Sequence, residues 1–110
     1  MITANLEMHF MVDPVDGLDQ HSDAVADALY EIEKLNPALF DAGVGATLAT
    51  GQVRITLGAS GEDWDCAVAE ASNAIRRAIV TAGGQLPQWN NPAMPSVATY
   101  SLVQQLAKSA

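Results

Sequence analysis

The sequence predicts an α+β fold: a two-layer sandwich of helices on one sheet, in the order β-α-β-β-α. Two stretches, residues 2 to 12 and 52 to 59, alternate apolar and polar side chains as half-buried strands do. Two others, Leu18 to Leu35 and Trp64 to Ala82, repeat apolar residues at three- and four-residue steps. Turn residues separate each change of period, so strand and helix alternate in one chain of 110 residues, a length that suits one core.

In the first strand Ile2, Ala4, Leu6, Met8, Phe10 and Val12 share one face, with Thr3, Asn5, Glu7, His9 and Met11 on the other. Asp13-Pro14-Val15-Asp16-Gly17 breaks it and offers an aspartate to cap the next element. The first helix then carries Leu18, His21, Val25, Ala28, Leu29, Ile32 and Leu35 inward, with acid early and Lys34 late, as the helix dipole favours. Asn36-Pro37 ends it, because a residue before proline is pushed out of the α region. Residues 38 to 43 read as a loop with Leu39 and Phe40 tucked under the sheet. Residues 44 to 50 and 52 to 59 read as a strand pair turning at Gly51.

The second helix organises the rest. Trp64, Ala67, Val68, Ala71, Ile75, Ala78, Ile79 and Ala82 form its stripe, and Gly83-Gly84 stops it. Ser60 is the expected first-turn acceptor, with Asp63 at the acid position of a capping box. Residues 1–84 thus form the α+β domain, and residues 85–110 a C-terminal arm holding Pro87, Pro92, Pro95 and Trp89. Residues 96 to 108 suit either a helix or a strand. The helix formers Gln104, Gln105, Leu106, Ala107 and Lys108 favour a short helix.

This arrangement resembles the ferredoxin-like split β-α-β with its last strand missing or irregular. A right-handed crossover places the first strand beside the third. One sheet face is then bare, carrying Asn5, Glu7, His9, Met11, Thr47, Arg54 and Thr56. A second resemblance rests on short motifs: Phe10-Met11-Val12-Asp13 at a strand end, Ala26-Asp27-Ala28-Leu29 in an acidic helix, and Ala78-Ile79-Val80-Thr81-Ala82-Gly83-Gly84 with Pro87 and Trp89 nearby. Over roughly residues 5 to 90 the chain is similar to a group of small actinobacterial α+β proteins. That resemblance implies a fold and carries no site residue.

Composition narrows function by exclusion. Thirteen acidic side chains against five Lys and Arg give a formal charge of −8, which repels phosphate backbones and anionic lipid. No nucleic-acid or membrane partner is expected. No run of about 18 apolar residues occurs, and the start lacks the pattern of a signal peptide, so a cytoplasmic location is expected. The single Cys66 forms no disulfide within the chain.

Glu7, His9, Arg54 and Thr56, with Trp89 from the arm, are the candidate ligand-binding set, since a carboxylate, an imidazole and a guanidinium together can hold an acid or move a proton. A Glu7–Arg54 cross-strand pair explains part of the same set more simply. His21 reads as a boundary residue of its helix stripe. Asp13, Asp16, Asp19 and Asp23 read as capping and dipole residues, not as a cation loop. No metal, cofactor or catalytic residue is assigned, and the glycines match no phosphate-binding fingerprint. The leading expectation is a non-enzymatic association module, self-associating through the sheet face, a strand edge or the arm. Asn5, Met11, Trp89, Tyr100, Leu102 and Leu106 are its interface candidates. The alternatives are a small-molecule-binding or regulatory domain with a pocket between sheet and arm, and a small dimeric enzyme with a shared site at His9.

Overall fold

The computed structural model describes residues 1–86 and 98–109. The chain runs β1 (Ile2–Asp13), α1 (Leu18–Leu35), β2 (Leu39–Thr47), β3 (Gln52–Gly61), α2 (Trp64–Thr81), β4 (Gly84–Gln85) and β5 (Ala98–Ser109). All five strands form one sheet in the order β2-β3-β1-β5-β4. The pairs β1–β3, β2–β3 and β1–β5 are antiparallel, and the short β4 is parallel to β5.

Both helices pack on one face of the sheet. The even residues of β1 from Ala4 to Val12 and the odd residues of β3 from Val53 to Ala59 meet Leu18, Val25, Leu29, Ala71, Ile75, Ala78 and Ile79 in the core. The period-two and period-3.6 patterns meet there because each needs the other to remove its apolar side from water. Alanines at the contact let α2 lie close to the sheet. Asn36, the C-cap of α1, ties that helix to α2: its amide donates to Glu70 Oε1 at 2.6 Å while its Oδ1 accepts from the Ala38 N–H at 3.0 Å.

Several expectations are corrected. The sequence from 96 to 108 does not form a helix; Ala98–Ser109 is a full strand beside β1. The fourth long strand of the ferredoxin-like arrangement is therefore present, and residues 98–109 complete the sheet instead of forming an arm on a finished domain. The reason is non-local. The outer edge of β1 carries backbone donors and acceptors that need partners, and this demand outweighs the helix preference of Gln104–Lys108. Strand β2 begins at Leu39, not Val44, so the expected loop is mostly strand. Its Leu39 enters the core, whereas Phe40 lies over Gly58 on the opposite sheet face. A register shift between Phe40 and Gly43, with Asp41 at φ 55°, hid the strand from its alternation. The β2–β3 turn spans four residues, Leu48 to Gly51.

The caps also differ in detail. Asp63, not Ser60, caps α2, accepting from the Cys66 N–H at 2.8 Å. Helix α1 starts after Gly17 with no side-chain cap. Gly83, at φ 94°, ends α2 in the left-handed region that glycine adopts without strain, as its sequence position predicts.

Candidate functional site

The register of β1 with its neighbours sets out the uncovered sheet face in rows. Asn5 lies between Gly58 and Lys108, Glu7 between Thr56 and Leu106, and His9 between Arg54 and Gln104. Next to β3, strand β2 contributes Phe40, Gly43, Gly45 and Thr47 to the same face. Two of these have no side chain, so the sheet surface is low beside Arg54 and Thr56. Three of the predicted site residues, Glu7, His9 and Arg54, come together. His9 Nε2 donates to Glu7 Oε2 at 2.6 Å, and Arg54 Nη1 stands 4.0 Å from Glu7 Oε1. The hydrogen bond from His9 is the main reason the Glu7 carboxyl titrates below its usual range. The positive charges of His9, Arg54 and Lys108 act in the same direction against a partial burial penalty. Thr56 stands opposite Glu7 but turns toward β2, where its Oγ1 fills the space beside Gly43.

Two shallow clefts flank this row. One, of about 280 Å³, is bordered by Asn5, Glu7, Asp41, Thr56 and Lys108. The other, of about 320 Å³, is bordered by His9, Gly45, Thr47, Gln52 and Arg54. A larger cleft of about 610 Å³ lies away from this site, among Met1, Pro37, Ala38, Ser60, Gly61 and Glu62. The Glu7–His9 pair has the orientation of an acid–base couple. Both side chains remain open to solvent, and the Arg54 side chain is 61% exposed, so the site holds its groups without shielding them from water.

The interface candidates divide. Asn5, Met11 and Leu106 are exposed, with Met11 at 40% and Leu106 at 41%, and they share the open face with Glu7. Tyr100 and Leu102 do not belong with them. Tyr100 is fully buried and Leu102 packs partly against the core, because Ala98, Tyr100 and Leu102 alternate toward the helices once this segment is a strand. Trp89 lies outside the described residues.

Sequence reasoning missed a buried polar pair. The Tyr100 hydroxyl is 2.8 Å from His21 Nδ1, and its ring meets Phe10 edge-on at a centroid distance of 5.6 Å. His21 is a core residue at 5% exposure, not a boundary one. Burial pushes its imidazole below the ordinary value of 6.5, and the Ala82 backbone offsets this in part; among the described residues Nε2 has no hydrogen-bond partner. Burial likewise pushes the Tyr100 phenol up. The signal was the alternation of Ala98, Tyr100 and Leu102, visible only with strand assigned there.

Cys66 is exposed at the first turn of α2. The Asp63 carboxylate pushes its thiol up, by hydrogen bond and by charge, opposing the thiolate a nucleophile needs. Among the described residues no three or more His, Cys, Asp and Glu side chains gather to hold a metal ion, and no helix is long and apolar enough to cross a membrane.

The chain matches no protein-family model and no curated protein. A solution NMR structure of a de novo designed protein with a ferredoxin fold is similar, at TM-score 0.51 and 16% sequence identity, over 94% of this chain and 87% of that one. The fold is ferredoxin-like. A designed protein at this identity speaks to architecture and to nothing else.

Proposed function

We propose that this chain is a protein–protein association module whose first partner is a second copy of itself. The observation that carries this reading is the five-stranded sheet with both helices on one side and, among the described residues, an uncovered face on the other. That face mixes the exposed apolar side chains Met11 and Leu106 and the half-buried Phe40 with Asn5, Glu7, His9 and Arg54, a mixture suited to a non-obligate interface. Charge favours the same side. The helices carry Asp19, Asp23, Asp27, Glu31, Glu33, Asp65 and Glu70 against Lys34, Arg76 and Arg77, whereas on the open side Arg54 and Lys108 nearly balance Glu7, Asp13 and Asp41. Two acidic chains repel least when the sheet sides approach.

Light scattering over a range of concentrations tests this reading. The expected result is a mass twice that of the 11.6 kDa chain, falling on dilution. A mass of one chain at millimolar concentration refutes it.

A second reading has its own observation: an exposed guanidinium beside His9 and two clefts. It makes the face a binding site for a small carboxylate held by Arg54. A panel of small carboxylates would then raise the melting temperature of the wild type and not of Arg54→Ala. No shift with any of them would remove this alternative.

A further inference from the structure

The two long edges of the sheet are built differently. Strand β2 is blunted. Its bulge carries Asp41 at φ 55°, and the Glu33 carboxylate reaches over from α1 to accept the Ala42 N–H at 3.0 Å. A bulge, an acid and an occupied backbone donor are the means by which sheets refuse further strands. Strand β5 has few such guards. Strand β4 pairs only with its first two residues, Ala98 and Thr99; among the described residues, β5 beyond them pairs with β1 alone. The register shift of β5 falls opposite His9 and Phe10, at Val103, and leaves Gln104–Ser109 as a regular stretch beyond it. Residues 103 to 109 are all exposed, with Val103 at 64% and Leu106 at 41%, so among the described residues nothing covers the faces of this half of the strand or its outer edge.

Charge and propensity suit a second copy as the occupant. Residues 98–109 contain no Asp or Glu, in a chain of net charge −8. The only charge in the strand is Lys108. Gln104, Gln105, Leu106, Ala107 and Lys108 are helix formers held extended by a single neighbour, a conflict between local preference and fold that a second neighbour would relieve. We propose that the outer edge of β5, residues 104–109, pairs antiparallel with the same edge of a second copy, joining two sheets across a two-fold axis. This rests on the self-association reading and moves its contact from the open face to the strand edge, so that the open faces of the two copies lie side by side. A two-fold at Leu106, near the centre of this stretch, sets the two Lys108 side chains about four residues apart, roughly 14 Å at the rise of a strand, beyond the Debye length of about 8–10 Å at which salt screens their repulsion. The paired stretch is short against the roughly 1,200–2,000 Å² of a standard interface, so the dimer dissociates on dilution.

Amide hydrogen exchange of the full chain at low and high concentration tests the proposal without any variant. Backbone amides of a strand with one neighbour are only partly protected. On dimerisation exchange slows several-fold across residues 103 to 109 and not in β2. In a Cys66→Ser background, Gln104→Cys, Gln105→Cys and Leu106→Cys are then oxidised one at a time. The residue nearest the axis faces its own copy and gives a disulfide-linked dimer. Doubled mass with unchanged exchange in β5 and no cross-link would overturn the edge contact while leaving self-association standing. A single-chain mass at millimolar concentration would overturn both.

Discussion

The Tyr100–His21 pair is where a small substitution should cost the most relative to its size. Tyr100→Phe removes one oxygen from a fully buried side chain and leaves His21, 5% exposed, with no hydrogen-bond partner at Nδ1 when Nε2 already has none. A lost hydrogen bond contributes about 1 kcal/mol, and a buried polar atom left unpaired costs about 1–3 kcal/mol. The expected loss is therefore about 1–3 kcal/mol, a drop of roughly 4–12 °C in melting temperature for a chain of this size. His21→Leu should cost a similar amount by orphaning the Tyr100 hydroxyl. The double variant Tyr100→Phe with His21→Leu removes both polar groups together and should lie well above the sum of the two losses in stability. Urea denaturation followed by circular dichroism measures all three. A Tyr100→Phe loss below about 0.5 kcal/mol, or additivity within about 0.5 kcal/mol, would refute the claim that the pair depends on mutual satisfaction. The pair also sets a pH dependence. His21 binds its proton less readily folded than unfolded, so the unfolded chain holds more protons below the ordinary value of 6.5. Its contribution is fully present above that pH and is lost as pH falls from there through the lower folded value. The wild type should lose stability over that window by more than His21→Leu does.

Three further outcomes are expected. Gly58→Ala drives a methyl group into the Phe40 ring that lies over it, so it should destabilise by about 1–3 kcal/mol in denaturant melts, and Phe40→Leu in the same chain should recover part of the loss. The Cys66 thiol should react slowly with iodoacetamide at neutral pH and faster in Asp63→Ser, which keeps an N-cap oxygen and removes the charge that raises the thiol; equal rates would refute the assigned cause. By NMR titration Glu7 should release its proton below 4.5, and His9→Ala should move that midpoint upward. An unmoved midpoint would show that the 2.6 Å contact does not govern the carboxylate.

What the sequence determined by itself is the part written in local periods. Helix α1 runs from Leu18 to Leu35 as its stripe predicts, β1 alternates in the predicted phase, and Gly83 stops α2, because each property depends on residues within one turn or one pleat. Those phases were enough to place Glu7, His9 and Arg54 on one face of the sheet. Only the tertiary structure decided the fate of residues 98–109. Locally Gln104 to Lys108 prefer a helix, but the unpaired edge of β1 lies nearly a hundred residues away in sequence and supplies the hydrogen bonds that make them a strand. That choice turned Tyr100 inward to meet His21, 79 residues distant, and left β5 beyond Thr99 paired, among the described residues, with β1 alone. It also set Phe40 over Gly58, since a bulge shifts the register of β2 and conceals its alternation. Local periods fix which way a side chain points, whereas long-range backbone pairing fixes which strand lies beside it.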